Sequence, residues 1–209
     1  QVQVPETIDG DKVTVIAANA FANCPGLESI EIPGTITRIE SYAFANDTNL
    51  SRIKLSDGLT TIGEYAFSNC QSLGSIVIPD SVVKMDAGVF ASCNNLFDVQ
   101  LSKNLEQLDG RAFYDCDGIT SIEIPSSLVK SGKAYWNFAT EYGPFYDCNG
   151  LKTVTFEKGA TTIPTGLFAN CPGLESIEIP GTITRIESSA FANCKSLESI
   201  VIPDSVTKI

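Results

Sequence analysis

Seven cysteines and no histidine decide which chemistry this 209-residue chain can perform. Without histidine there is no Ser-His-Asp or Cys-His nucleophile, no helical His-Glu-x-x-His zinc site and no histidine pH switch. An Asp/Glu pair is the acid–base chemistry that remains. No cofactor motif accompanies one, so the chain reads as non-enzymatic, with no cofactor and no bound metal. Structural metal sites favour close pairs such as C-x-x-C, whereas the nearest two cysteines here are 23 residues apart. Disulfides are also disfavoured, because thiols stacked in register run parallel rather than converge. Cys24, Cys70, Cys93, Cys116, Cys148, Cys171 and Cys194 are therefore expected as a ladder of small, buried, unpaired thiols. Asp47 takes the ladder position in one unit, where it is expected to cap a turn or face solvent. Asp115-Cys116-Asp117 and Asp147-Cys148-Asn149 supply two oxygens each, short of the six to eight that calcium takes, and read as polar residues at helix ends.

A second group with binding chemistry lies between Pro125 and Phe145, where the chain reads SSLVKSGKAYWNFATEYG. It holds the single tryptophan, Trp136, with Tyr135, Phe138 and Tyr142, and Lys130 and Lys133 nearby. Aromatic side chains dominate binding hot spots and also stack on sugar rings. The alternative is that Trp136 or Phe138 folds back to fill core volume lost where Ser131 replaces an isoleucine. Gly132-Lys133 is not a phosphate loop, because the required glycine five residues earlier is Ser127. The formal charge of −11 disfavours nucleic acid and anionic membrane surfaces, and no stretch approaches the roughly 18 apolar residues of a membrane span.

These residues are positioned by a repeat. Phe21, Phe44, Phe67, Phe90, Phe113, Phe145, Phe168 and Phe191 recur at intervals of 23 except for one of 32, so one unit carries a nine-residue insertion, within 126–144. Each Phe is followed three residues on by Cys (Asp47 once) and six on by Leu or Ile. Residues 21–41 and 168–188 are identical (FANCPGLESIEIPGTITRIES). Each unit contains a period-2 run such as Ser29-Ile30-Glu31-Ile32, a half-buried strand, stopped by Pro33, which lacks an N–H for the ladder. A weaker extended stretch follows around Ile36 and Ile39, and Glu40–Asn46 reads as one or two helical turns. A 23-residue unit cannot enclose a core alone, so units are expected to stack with parallel strands about 4.8 Å apart. Val2–Ile8 is expected as an atypical first half-repeat, with Asp9-Gly10-Asp11 a turn. Ile209 falls mid-repeat, so the chain is expected to be a fragment of a longer solenoid.

The pattern L-x-x-I-x-I-P-x-x-V-x-x-I-x-x-x-A-F-x-x-C, carried by Leu27, Ile30, Ile32, Pro33, Ile36, Ile39, Ala43, Phe44 and their equivalents, resembles the 23-residue leucine-rich repeats of BspA-like cell-surface proteins. The resemblance implies one domain over 1–209 of about eight repeats: an α/β leucine-rich-repeat horseshoe, with a parallel β-sheet on its concave face and short helical turns on its convex face. It also implies an extracellular or cell-surface location and adhesion to a host or extracellular-matrix protein. The alternatives are a spacer rod holding another domain off the envelope, or a glycan-binding module using the Trp136 loop. Outward strand residues would line the concave face, and there Arg52 with Lys54 is the one basic spot. The candidate partner-binding residues are thus Lys133, Tyr135, Trp136, Phe138 and Tyr142 in the insertion, and Arg52 and Lys54 on the sheet.

Overall fold

The computed structural model describes residues 2–131 and 142–209. Stacked coils repeat three hydrogen-bonded edges around one interior. The first ladder is built from the period-2 runs. Val2–Gln3, Ser29–Ile32 and Arg52–Leu55 pair in parallel, as do Ser75–Val77 with Asp98–Gln100 and Ser121–Ile124 with Thr153–Phe156. In the first of these, Ile30 faces Ile53 while Ser29 faces Arg52, so the apolar face of every strand turns inward together. The second ladder joins Val15–Ile16, Arg38–Ile39, Thr61–Ile62, Lys84–Met85, Gln107–Leu108 and Lys130–Ser131 in one parallel sheet. Thr162–Ile163 and Arg185–Ile186 form a separate pair beyond the insertion.

The third edge corrects the sequence reading: no helix forms among the described residues, and Glu40–Asn46 and its equivalents are turns. A helix would send each N–H four residues back. Here Tyr42, Phe44 and Asn46 donate instead to the carbonyls of Glu64, Ala66 and Ser68 in the following coil, at 2.8, 2.7 and 2.9 Å. Only Ala43 and Ala45 bond locally, to Glu40 and Tyr42. The cause is backbone handedness. The residue two after each Phe sits at positive φ in all eight units (Asn23, Asn46, Asn69, Ser92, Asp115, Asp147, Asn170 and Asn193). Asn and Asp tolerate that left-handed region better than other non-glycine residues, and a residue in it ends a right-handed helix. Tyr42, Tyr65 and Arg111, two before their Phe, are also at positive φ. The Tyr42 and Tyr65 rings stack 5.3 Å apart, and the Tyr65 ring then covers Gly88, leaving no room there for a side chain.

The core is the Phe frame. Its rings stack nearly parallel, from Phe21–Phe44 at 5.1 Å through Phe113–Phe145 at 5.3 Å to Phe168–Phe191 at 5.8 Å. Phe44 through Phe168 are fully buried. The stack passes the insertion without a break, because Arg111, Phe113 and Asp115 donate their N–H groups to Gly143, Pro144 and Tyr146. At the N-terminal end, Thr7–Ile8 and Asp11–Lys12 form a small antiparallel hairpin. Its Asp9-Gly10 turn has positive φ at both central residues, as two-residue hairpins prefer.

Candidate interaction surfaces

The cysteines form the expected ladder, and all seven are unpaired. Each Sγ from Cys70 to Cys194 donates to the carbonyl of the Phe one coil back, at 3.3 Å for Cys70 to Phe44 and 2.8 Å for Cys148 to Phe113. Burial in apolar surroundings pushes these thiols up, Cys93 to about 12. The nucleophile is the thiolate, so the ladder is packing material. Cys24 and Cys194, at its two ends, are half-buried.

Asp47 caps the turn but does not face solvent. It is fully buried, and its Oδ1 accepts the Cys24 N–H at 2.7 Å. Its Oδ2 has no hydrogen-bond partner, and burial raises the carboxyl to about 6 against that single favourable backbone bond. In the ladder each thiol donates as well as packs; a carboxyl can donate only when protonated. Asp117 Oδ1 accepts both the N–H and the side-chain amide of Asn149. Asp115 and Asp147 are left-handed turn residues rather than helix ends, and no metal-binding cluster of three ligand side chains occurs among the described residues.

Of the insertion candidates, Lys133, Tyr135, Trp136 and Phe138 lie outside the described residues, as does any filling of the core by Trp136 or Phe138. Tyr142 is described, and it belongs to a cation–aromatic cluster where the insertion rejoins the solenoid. The Arg111 guanidinium lies 3.9 Å from the Tyr142 ring centroid and 5.5 Å from that of Tyr114. Tyr142 meets Tyr146 edge-on at 4.7 Å, and Tyr146 stacks on Tyr114. On the departing side, Ser131 stays half-buried and donates its hydroxyl to the Thr165 carbonyl. Both ends of the insertion are therefore pinned by side chains.

Arg52 and Lys54 stand exposed on the outward face of the first ladder, and Lys54 pairs with Glu31 directly across the strands. Alternation along the strands already puts Val77 on this face, but sequence reasoning missed a second apolar neighbour, Phe97. Val77 is 57% exposed in the adjoining coil, and Phe97 is 64% exposed just before the next strand. The signal was available: the slot of Phe97 holds Glu28, Ser51, Gly74, Thr120, Lys152, Glu175 and Glu198 elsewhere, with no second apolar side chain. The ring is seated over Gly74, where an added Cβ would lie 3.1 Å from Cε1, and the Phe97 N–H bonds the Gly74 carbonyl.

The BspA-type leucine-rich-repeat description matches in six copies, over residues 14–141 and 138–209. The chain belongs to the BspA-type leucine-rich-repeat family. The T. pallidum leucine-rich-repeat protein TpLRR is 31% identical and superposes with a TM-score of 0.69, covering 83% of this chain and 77% of its own. The pneumococcal vaccine antigen PcpA shares the fold at 20% identity, with a TM-score of 0.57 over 99% of this chain and 67% of its own. Among curated proteins, none matches. No helix among the described residues is long and apolar enough to cross a membrane.

Proposed function

We propose that this BspA-type repeat is a non-enzymatic protein-interaction module, working at the cell surface or outside the cell and attaching to a host or extracellular-matrix protein. The observation that carries it is the outward face of the first ladder. Strands in register hold exposed cationic, acidic, apolar and neutral side chains on a frame that buries its own Phe stack. Such a face loses little conformational freedom on binding, and preorganisation of this kind favours affinity. The family resemblance supports the surface location. A glycan-binding variant is favoured by one observation: the Arg111–Tyr142–Tyr146 cluster fixes the root of the aromatic insertion, and aromatic rings can carry sugar faces.

The test is binding to arrays of matrix proteins and host glycans. The intact chain is compared with one in which 132–141 is replaced by a short Gly/Ser linker, keeping Ser131 and Tyr142. Protein binding that survives replacement supports the sheet face, and glycan binding lost on replacement supports the insertion. Silence of both chains on both arrays overturns the interaction reading in favour of a spacer rod.

A further inference from the structure

We propose that the outward face of the first ladder around Arg52, Lys54, Val77 and Phe97 is a docking patch for an extended acidic–apolar segment of a partner protein, whose carboxylates meet the two cations and whose apolar side chains cover Val77 and Phe97. The inference rests on the interaction reading above and names where on the sheet contact is made and by what chemistry.

Three observations converge. The first is charge. In a chain of net charge −11, the outward positions of one strand carry two cations, and only Lys54 has an acidic residue across from it; Arg52 faces Ser29. A cationic spot on an acidic molecule orients an acidic partner and repels it elsewhere. The second is apolar exposure beside that charge. Ser75–Val77 packs next to Arg52–Leu55, so Val77 adjoins Lys54 on the outward face. Both Val77 and Phe97 leave more than half their surface in water. The third is the seat of Phe97. Gly74 lacks the side chain that would crowd the ring, so the ring lies against the neighbouring coil instead of swinging free. An ordered, exposed aromatic on the same face as exposed cations is a composition found in binding hot spots, although the residue following Phe97, Asp98, is an exposed carboxylate. None of this is required by the repeat, since other units place Glu, Ser, Gly, Thr or Lys in the Phe97 slot.

The probe is a synthetic ten-residue peptide alternating Glu or Asp with Leu or Phe, paired with its Gln/Asn counterpart. Both are titrated against the intact chain by fluorescence polarisation. Arg52→Ser and Phe97→Thr are the informative variants, because Ser29, Ser75 and Thr120 already occupy those slots in neighbouring coils, so both variants are expected to fold, as a melt of each confirms before titration. The acidic peptide is expected to bind, to weaken by about fivefold or more in either variant, and to weaken with added salt as a partly exposed ion pair should. Its binding should be unchanged when 132–141 is replaced by the Gly/Ser linker. Equal binding of the amide counterpart, unchanged affinity in both variants, or no binding at millimolar peptide overturns the patch. The two readings fail separately. An array protein that binds the intact chain and both variants alike leaves the module reading standing and removes the patch. Array glycans bound through the insertion alone remove the patch and move recognition to the turn edge.

Discussion

Residues 21–41 and 168–188 have the same sequence, yet their surroundings make different structures of it. In both, the second ladder forms: Arg38–Ile39 pairs with Val15–Ile16 and Thr61–Ile62, and Arg185–Ile186 pairs with Thr162–Ile163 and bridges to Lys208. Two surface contacts repeat, although Glu187 also takes Lys208. Arg38 reaches Glu40 as Arg185 reaches Glu187, and Asn46 bonds Asn23 as Asn193 bonds Asn170. The first ladder does not repeat. Ser29–Ile32 is paired on both sides, whereas 176–179 pairs with neither neighbouring coil. The ring steps flanking the second copy are also wider, 5.9 and 5.8 Å against 5.1 Å for Phe21–Phe44. The turn edge and second ladder are thus reproduced wherever the sequence is, while first-ladder pairing is a property of adjoining coils. A strand's partners supply its hydrogen bonds, and its own residues set only which face it turns inward.

The two copies differ most at the shared phenylalanine. Phe168 is fully buried between two rings, and Phe21 is half-buried with a ring on one side. Phe168→Ala is expected to cost about 3–5 kcal/mol in urea melts, and Phe21→Ala about 1–2 kcal/mol. Equal costs would mean that the two copies sit in equivalent frames. Amide hydrogen exchange should also separate the two copies. Because the segments are identical, their intrinsic rates cancel, and the amides of 176–179 should exchange on the order of tenfold faster than those of 29–32. Equal protection would show that the C-terminal coils are paired in solution.

Asp47 tests the coil that follows the first copy. Replacing it with the thiol that its slot holds in every other unit, Asp47→Cys, should stabilise by about 0.5–2 kcal/mol at neutral pH. The folded carboxyl lies at about 6, above its ordinary 3.8. Its contribution is therefore fully present below 3.8 and is lost as pH rises through about 6. Melts of the parent chain should show this gain on acidification across that window, and Asp47→Cys should lack it. The smallest effect is expected at the ion pairs. Arg38→Ala and Arg185→Ala should each cost under about 1 kcal/mol, and by similar amounts, because both pairs are solvent-exposed. A difference between them would mean that the second ladder also responds to its neighbours.

Much of this was legible in the sequence, for reasons that also explain the misses. The 23-residue period fixed the Phe frame, the thiol ladder and the inward face of each strand, because a repeat too short to enclose a core has to stack. The helical reading of Glu40–Asn46 overlooked the residue two after Phe44. Asn, Asp or Ser stands there in every unit, a run that favours the left-handed region. The burial of Asp47 was illegible because a carboxylate ordinarily seeks water, and only the flanking coils enclose it. Phe97 escaped notice because it lies one residue before the outward strand positions. Pairing of the first ladder could not be read at all from two identical strings. Among the candidate site residues, Arg52, Lys54 and Tyr142 are placed, and the remainder fall within 132–141.

Both ladders and the alternate N–H groups of the turn edge direct their hydrogen bonds from one coil to the next, along the stack rather than across it. Tension on the ends of such a chain does not shear a whole sheet at once. It peels one coil at a time, each release breaking the few bonds of a single interface and paying out about 80 Å of extended chain per 23-residue unit. Tethered between two moving bodies, the stack would lengthen stepwise under load and rewind when slack returns.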